Sequence, residues 1–254
     1  MRTVWLVIGS IVTVVALAFG TYQVVGLVAR EEVTERASFP AAGVARVDLR
    51  NDNGSMEIVG GDVDEIELVA EISHGLRRTS HRAEVEGDTL VVRGACPSFT
   101  TWWCEVDYRL VVPRAIEVVA HMDNGALTIT DVDGAVRVDG DNSPIDLVRL
   151  TGPIEATTDN GSVEGIALRS PSVTVDSDNG RVDLTFVEPP MSVRATTDNG
   201  SVEVVLPEGP EEYRVDVQTD NGRTNVGVRT DPTSDRVVDA ETDNGSVTVR
   251  YPTG

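Results

Sequence analysis

Thr197-Asp198-Asn199-Gly200-Ser201-Val202 is the stretch whose reading decides the fold. Close copies of its Asp-Asn-Gly core begin at Asp52, Asp123, Asp159, Asp178, Asp220 and Asp243, with Asp141 as an Asp-Asn-Ser variant. From Asp123 onward the copies are 18, 18, 19, 20, 22 and 23 residues apart. Self-similarity at a period near 20 is the signature of a repeat architecture. The flanks repeat as well. Positions five and three before each Asp are apolar, as in Val173 and Val175 or Val193 and Ala195. Positions four and six after it are mostly apolar, as in Val182 and Leu184 or Val202 and Val204; Thr224 and Gly165 are exceptions. Apolar–polar alternation of period two marks a half-buried strand. Each repeat therefore reads as strand, corner, strand.

The corner residues suit a bend. Asn and Gly tolerate positive φ, and an Asp side chain bonds the backbone just ahead of it. Asn53, Gly54, Asn124, Gly125, Asn160, Gly161, Asn179, Gly180, Asn199, Gly200, Asn221, Gly222, Asn244 and Gly245 are accordingly read as structural turn residues, with Gly180 and Gly200 expected at positive φ. Calcium is the sharper alternative, since Asp and Asn oxygens are hard ligands. One dependable carboxylate per corner weighs against it, so no cofactor is expected.

Two architectures fit the repeats. Asn-Gly is a strong hairpin signal, which allows antiparallel hairpin repeats. An antiparallel sheet has no need of the same corner eight times, however, whereas stacked coils place Asn on Asn and Val on Val. The expectation is thus an all-β chain: a parallel β-solenoid of about eight Asp-Asn-Gly coils, behind one N-terminal transmembrane helix. At about 4.8 Å per coil the stack would run roughly 40 Å.

The chain has 254 residues, 42 acidic and 21 basic, a formal net charge of −21, and every basic residue is Arg. Such acidity argues against nucleic acid, whose phosphates require cationic neutralisation. Residues 3–29 carry no charge, a run long enough to cross a bilayer. Arg2 precedes the run and Glu31, Glu32 and Glu35 follow it, which favours a cytoplasmic N-terminus. A cleaved signal peptide is the rival reading. The domain reading is a cytoplasmic tip and anchor over 1–30, a stalk over 31–43, an atypical coil and cap over 44–115, and regular repeats over 116–254. The location follows: cell membrane, single-pass, with the C-terminal domain outside the cytoplasm.

Two features of the cap stand apart. Arg77, Arg78 and Arg82 form a basic island in an acidic chain. Cys96 and Cys104 are the two cysteines, and outside the cytoplasm a disulfide between them is expected. The loop they enclose holds Phe99, Trp102 and Trp103. These aromatics plug one end of the stack or face out to hold sugar or lipid. With the arginines they make up the candidate binding surface. Inserts at Glu188-Pro189-Pro190, Pro207-Glu208-Gly209-Pro210 and Asp231-Pro232-Thr233-Ser234 fall between repeats, the usual place for a binding face. His74, His81 and His121 lie outside any metal spacing, and no nucleophile elbow, phosphate loop or zinc-protease motif is present. No catalytic or metal residue is assigned, and no enzyme activity is expected.

The Asp-Asn-Gly-Ser-Val corners, the N-terminal apolar run and the atypical first strands resemble a bacterial family of β-strand-repeat "putative adhesins" of unknown function, common in actinobacteria. The resemblance covers about residues 44–250. It implies a right-handed parallel β-solenoid exposed at the cell surface and carries over no functional residue. The reading is a membrane-anchored, adhesin-like interaction or scaffold module. Its partner would be a cell-envelope component or a membrane protein. An envelope-stress regulator and a β-helix polysaccharide-active enzyme are the alternatives; a carboxylate cluster with Arg in one lateral groove would favour the enzyme.

Overall fold

The computed structural model describes residues 9, 12–21, 31–74, 79–96 and 104–252, with His74 described in its backbone only. The strands, in chain order, are β1 (Glu31–Pro40), β2 (Arg46–Asn53), β3 (Met56–Gly61), β4 (Glu65–His74), β5 (Ser80–Glu86), β6 (Thr89–Ala95) and β7 (Glu105–Pro113). The repeats follow as β8 (Glu117–Asn124), β9 (Leu127–Thr130), β10 (Val136–Asn142), β11 (Ile145–Val148), β12 (Ile154–Asn160) and β13 (Val163–Leu168). The last six are β14 (Ser172–Asn179), β15 (Val182–Phe186), β16 (Ser192–Asn199), β17 (Val202–Val205), β18 (Arg214–Gly227) and β19 (Val237–Arg250).

Each Asp-Asn-Gly corner joins two arms that do not pair with each other. Each arm pairs in parallel with the matching arm of the neighbouring repeat, so that β8, β10, β12, β14 and β16 form one ladder and β9, β11, β13, β15 and β17 another. Corners fall in register: Asn160 lies beside Asn179, and Asn179 beside Asn199. Inward positions carry the core, and Val173, Val175, Val182, Val193, Val202 and Val204 are all buried. One such corner with its two arms is called a tier below.

Tier order departs from chain order at both ends. At one end β19, which bends through its own corner at Asp243, pairs with β16 and β17, and β18 pairs with β19. The Asp243 tier is thus inserted between the Asp198 and Asp220 tiers. Its inward residues Val238, Ala240, Val247 and Val249 are fully buried, whereas Thr224 and Val226 of the Asp220 tier are exposed. At the other end β2 and β3 sit between β8 and β9 on one side and β6 and β7 on the other. Beyond these, β5 joins β6, β4 joins β7 and β1 joins β4, all antiparallel.

These pairings correct the expected fold. Among the described residues the chain is not a parallel β-solenoid behind a transmembrane helix. It is one 19-stranded sheet of mixed orientation, counted among the described residues and nearly closed around a single apolar core. Antiparallel hairpin repeats are excluded too, because arms sharing a corner do not pair. The physical reason is that Asp-Asn-Gly sets a local bend. It dictates neither the order in which tiers stack nor the direction of strands that lack it. Residues 31–40, read as part of a stalk, form β1 on the edge of β4.

The single-pass membrane location is corrected as well. Among the described residues, no helix is long and apolar enough to cross a membrane. The continuous helix described covers residues 12–21, about 15 Å at 1.5 Å per residue, roughly half a hydrocarbon core. Residues 3–8, 10–11 and 22–29 of the apolar run lie outside the described residues.

Candidate interaction surface

Stacking in register turns each corner position into a column. The asparagine column is a side-chain ladder. Asn142 donates to Asn124, Asn160 to Asn142, Asn179 to Asn160, Asn199 to Asn179, Asn244 to Asn199 and Asn221 to Asn244, at 3.0–3.3 Å. Asn124 closes the series by donating to the Asp52 carbonyl at 3.3 Å. Each such bond contributes about 1 kcal/mol net. The corner glycines lie one residue on, packed face to carbonyl. A Cβ on Gly200 would fall on the carbonyl of Gly180, one on Gly180 on that of Gly161, and one on Gly245 on that of Gly200, all closer than 3.0 Å.

That close approach, and not backbone sign, is why glycine stands at positions 180, 200 and 245. The expectation of positive φ at Gly180 and Gly200 is overturned: at the corners, positive φ occurs at Gly54 (117°) and Gly125 (134°). Left-handed non-glycine residues sit instead where the second arm ends, at Asp131 (58°), Arg149 (53°) and Ala167 (54°). Nothing in their residue types signals it. The ion pair from the Arg149 guanidinium to Asp131, at 2.7–2.8 Å, spans two of these sites and holds the Asp131 carboxyl below its usual range.

A further column went unread in the sequence. Ser177, Thr197, Thr242 and Thr219 precede the corner Asp, and their hydroxyls donate to the carbonyls of Gly161, Gly180, Gly200 and Gly245 at 3.0–3.1 Å. Thr158 does the same to Ser143 at 3.3 Å. These residues share the parity of the inward valines, which is the signal that would have placed them inside. At these five corners the buried hydroxyl is thereby satisfied.

Beside the asparagines run the corner aspartates, exposed from Asp123 to Asp243. Burial, then the charges of Asp52 and Asp141, pushes the Asp123 carboxyl up. On the second arm Asp146, Glu164, Asp183 and Glu203 form another acidic row in register. Asp183 is pushed up by burial; Arg181 opposes this, and Glu203 and Glu164 add to it. Among the described residues no group of three or more His, Cys, Asp or Glu is placed to hold a metal ion.

At the N-terminal end the tier of β6 and β7 has no Asp-Asn-Gly. Its corner is the loop closed by the Cys96–Cys104 disulfide, with Cα atoms 5.7 Å apart. Asp52 of the next corner accepts from the Cys96 amide at 2.8 Å. Beneath lies a small polar cluster: His81 Nδ1 bonds the buried Tyr108 hydroxyl at 2.9 Å, and Nε2 lies 3.8 Å from Glu35 on β1. Gly94 leaves room for it, since a Cβ there would sit 2.6 Å from Asn51 Oδ1 and 2.8 Å from the Tyr108 hydroxyl. Burial pushes the His81 imidazole down, against the upward pull of Glu35.

Of the expected binding residues, Arg82 lies on β5 and pairs with Glu84. Phe99, Trp102, Trp103, Arg77 and Arg78 lie outside the described residues. The inserts come together on one side: Arg236 donates to the carbonyls of Pro189 and Pro190 at 2.9 and 2.8 Å, Arg229 to Gly209 at 2.6 Å, and Ser234 to Glu212 at 2.7 Å. A lateral depression of about 460 Å³ near the cap is lined by Arg36, Glu57, Glu71, Asp107 and Arg109 among others. Its carboxylates are largely engaged. Arg109 donates to Glu57 at 2.7 Å, and Asp107 accepts from the Ser55 amide at 2.7 Å.

No family model and no curated protein matches the sequence. Solved structures do. The chain is similar to a "putative adhesin" from Bacteroides fragilis at 12% identity and a TM-score of 0.54, over 87% of this chain and 97% of that one. It is also similar to a "putative adhesin" from Parabacteroides merdae, at 8% identity and TM-score 0.42 over 88% and 97%. A "putative cell adhesion protein" from Clostridium sporogenes gives 11% identity and TM-score 0.40 over 87% and 100%. The Bacteroides structure carries the comparison, and at this identity what it shows is a shared fold.

Proposed function

We propose that this chain is an adhesin-like, non-catalytic interaction module that presents its corner face to a component of the bacterial cell envelope. The observation that carries the reading is the continuous asparagine ladder with its flanking aspartates. It is a rigid polar surface repeating at about 4.8 Å, suited to a polymer that offers hydroxyls or amides at many points. The adhesin designation of the Bacteroides relative supports the same class. The disulfide supports an oxidising compartment. The lateral depression does bring carboxylates and arginines together, as the enzyme alternative expects, but Glu57 is held by Arg109 and Asp107 by Ser55, which argues against a poised acid–base pair between these two.

Retention of the full chain on purified envelope glycan tests the proposal. Retention should fall at least tenfold when Asp159, Asp178 and Asp198 are changed together to Asn, with the melting temperature kept. Equal retention would remove the corner face from the function. Release of new reducing ends from the glycan would move the chain to the polysaccharide-active class.

A further inference from the structure

The two ends of the stack are finished differently. Antiparallel strands β1, β4 and β5 close the N-terminal end. The other end stops on β18, which among the described residues pairs along its length with β19 alone. The Arg214 amide donates to the Arg236 carbonyl at 2.8 Å, which turns Arg214 toward β19. In a parallel ladder alternate residues point both backbone groups to the same side. Arg214, Asp216, Gln218 and Asp220 therefore bond inward, and Val215, Val217 and Thr219 present their amides and carbonyls to the open edge.

The chain itself already uses this edge once. Tyr213 bridges Thr230 in parallel, its amide donating to Arg229 at 3.1 Å and its carbonyl accepting from Asp231 at 2.9 Å. Pairing then stops. Among the described residues the edge from 215 to 219 stays bare, bounded by residues 229–231 at one end and by the Asp220 corner at the other. Val215, Val217 and Thr219 are half-buried on its inner side. A depression of about 410 Å³ lies against it, lined by Val217, Thr219, Asp220, Thr224 and Glu241 among others. The outward side is acidic, with Asp216, Asp220 and Glu241 exposed or half-exposed.

We propose that the β18 edge is a docking site for an extended segment of another protein that adds as one further strand. The apolar inner side and acidic outer side define its chemistry: about six residues alternating apolar and basic. Main-chain bonds to Val215, Val217 and Thr219 hold it, apolar residues cover Val215 and Val217, and basic residues meet Asp216 and Asp220. Segment 229–231 limits its length. Long bare edges are otherwise blunted by charge, bulges or proline, because they template unwanted pairing.

A labelled hexapeptide, Arg-Val-Arg-Val-Arg-Val, titrated into the full chain by fluorescence anisotropy tests this. Saturable binding is expected. It should weaken at least tenfold when the central valine amide is N-methylated, when Glu replaces Arg in the peptide, and in Asp216→Arg. Val217→Pro should abolish it, since proline removes an outward amide that β19 does not use. Absence of binding, or equal binding of the N-methylated peptide, would overturn the proposal. Reversible dimerisation without peptide, lost in Val217→Pro, would also overturn it by giving the edge to a second copy.

Discussion

At the residue scale the corner glycines are a matter of space. Gly200 rests on the carbonyl of Gly180, so one methyl group must push two tiers apart. Gly200→Ala should therefore cost about 2 kcal/mol, within the range for overpacking. Ser201→Ala, one position on, should change stability by no more than about 0.5 kcal/mol. Urea denaturation of both variants measures the contrast; equal midpoints would refute the glycine stack. Ala167 presents the opposite case. Its φ of 54° burdens an L-residue, and left-handed backbone costs a non-glycine residue about 1–2 kcal/mol. Ala167→Gly should thus raise stability by about 1 kcal/mol, less the entropy glycine loses on folding. A lowered melting temperature would show that the Ala167 methyl contributes more to packing than the strain costs.

At the scale of elements, the disulfide stands in for a missing corner. The β6–β7 tier turns through a nine-residue link, from Cys96 to Cys104, where other tiers use three residues. Closing a loop this short contributes about 2–3 kcal/mol in the chain-entropy model. Cys96→Ser with Cys104→Ser should lower stability by about that much. Amide exchange should rise first in β5, β6 and β7, while β13 and β15 stay protected. Uniform loss of protection would mean that the cap and the repeats open as one unit. Alkylation of the unfolded, unreduced protein should label neither cysteine. The exchanged order of β18 and β19 belongs to this scale too. An inserted tier must bury both of its faces, and the Asp243 tier has Val247 where the Asp220 tier has the exposed Thr224.

At the scale of the whole molecule, the two halves should answer pH with opposite sign. The His81 imidazole is pushed below its usual value in the fold, chiefly by burial. Its neutral form supports the native state above about pH 6.5, the ordinary value, and that support is lost as pH falls through the lower folded value. Asp183 and Asp123 are raised from the ordinary carboxylate value, burial leading in both. Their contribution is present below about pH 4, the ordinary value, and lost as pH rises through the higher folded values. Acidification from pH 7.5 to 5 should then speed exchange in β5 relative to the intrinsic rate, whereas exchange in β15 should slow as pH falls further, toward the ordinary carboxylate value of about 4. His81→Gln should flatten the β5 response and leave that of β15 unchanged. An unaltered β5 profile in that variant would exclude the imidazole. Asp183→Asn should stabilise the second arm by about 0.5 kcal/mol, since like charges in register on neighbouring strands repel.

The repeat, the strand–corner–strand unit, the inward valines and the cysteine pair were all legible in the sequence. Period-two alternation and an Asp-Asn-Gly at fixed offset act over a few residues, and local chemistry is written locally. Thr224 was visible too as an exception, though not its meaning. Tertiary structure decided the rest. Tier order depends on which tier carries the residues to be buried between two neighbours, so the Asp243 tier, with Val247, sits inside the Asp220 tier, with Thr224, without any change of motif. Antiparallel closure by β1, β4 and β5 depends on what covers an open end. The left-handed residues at Asp131, Arg149 and Ala167 follow from the turn needed between stacked tiers, which no single repeat contains. The bare edge of β18 exists because stacking stops there, and only the folded molecule shows where stacking stops.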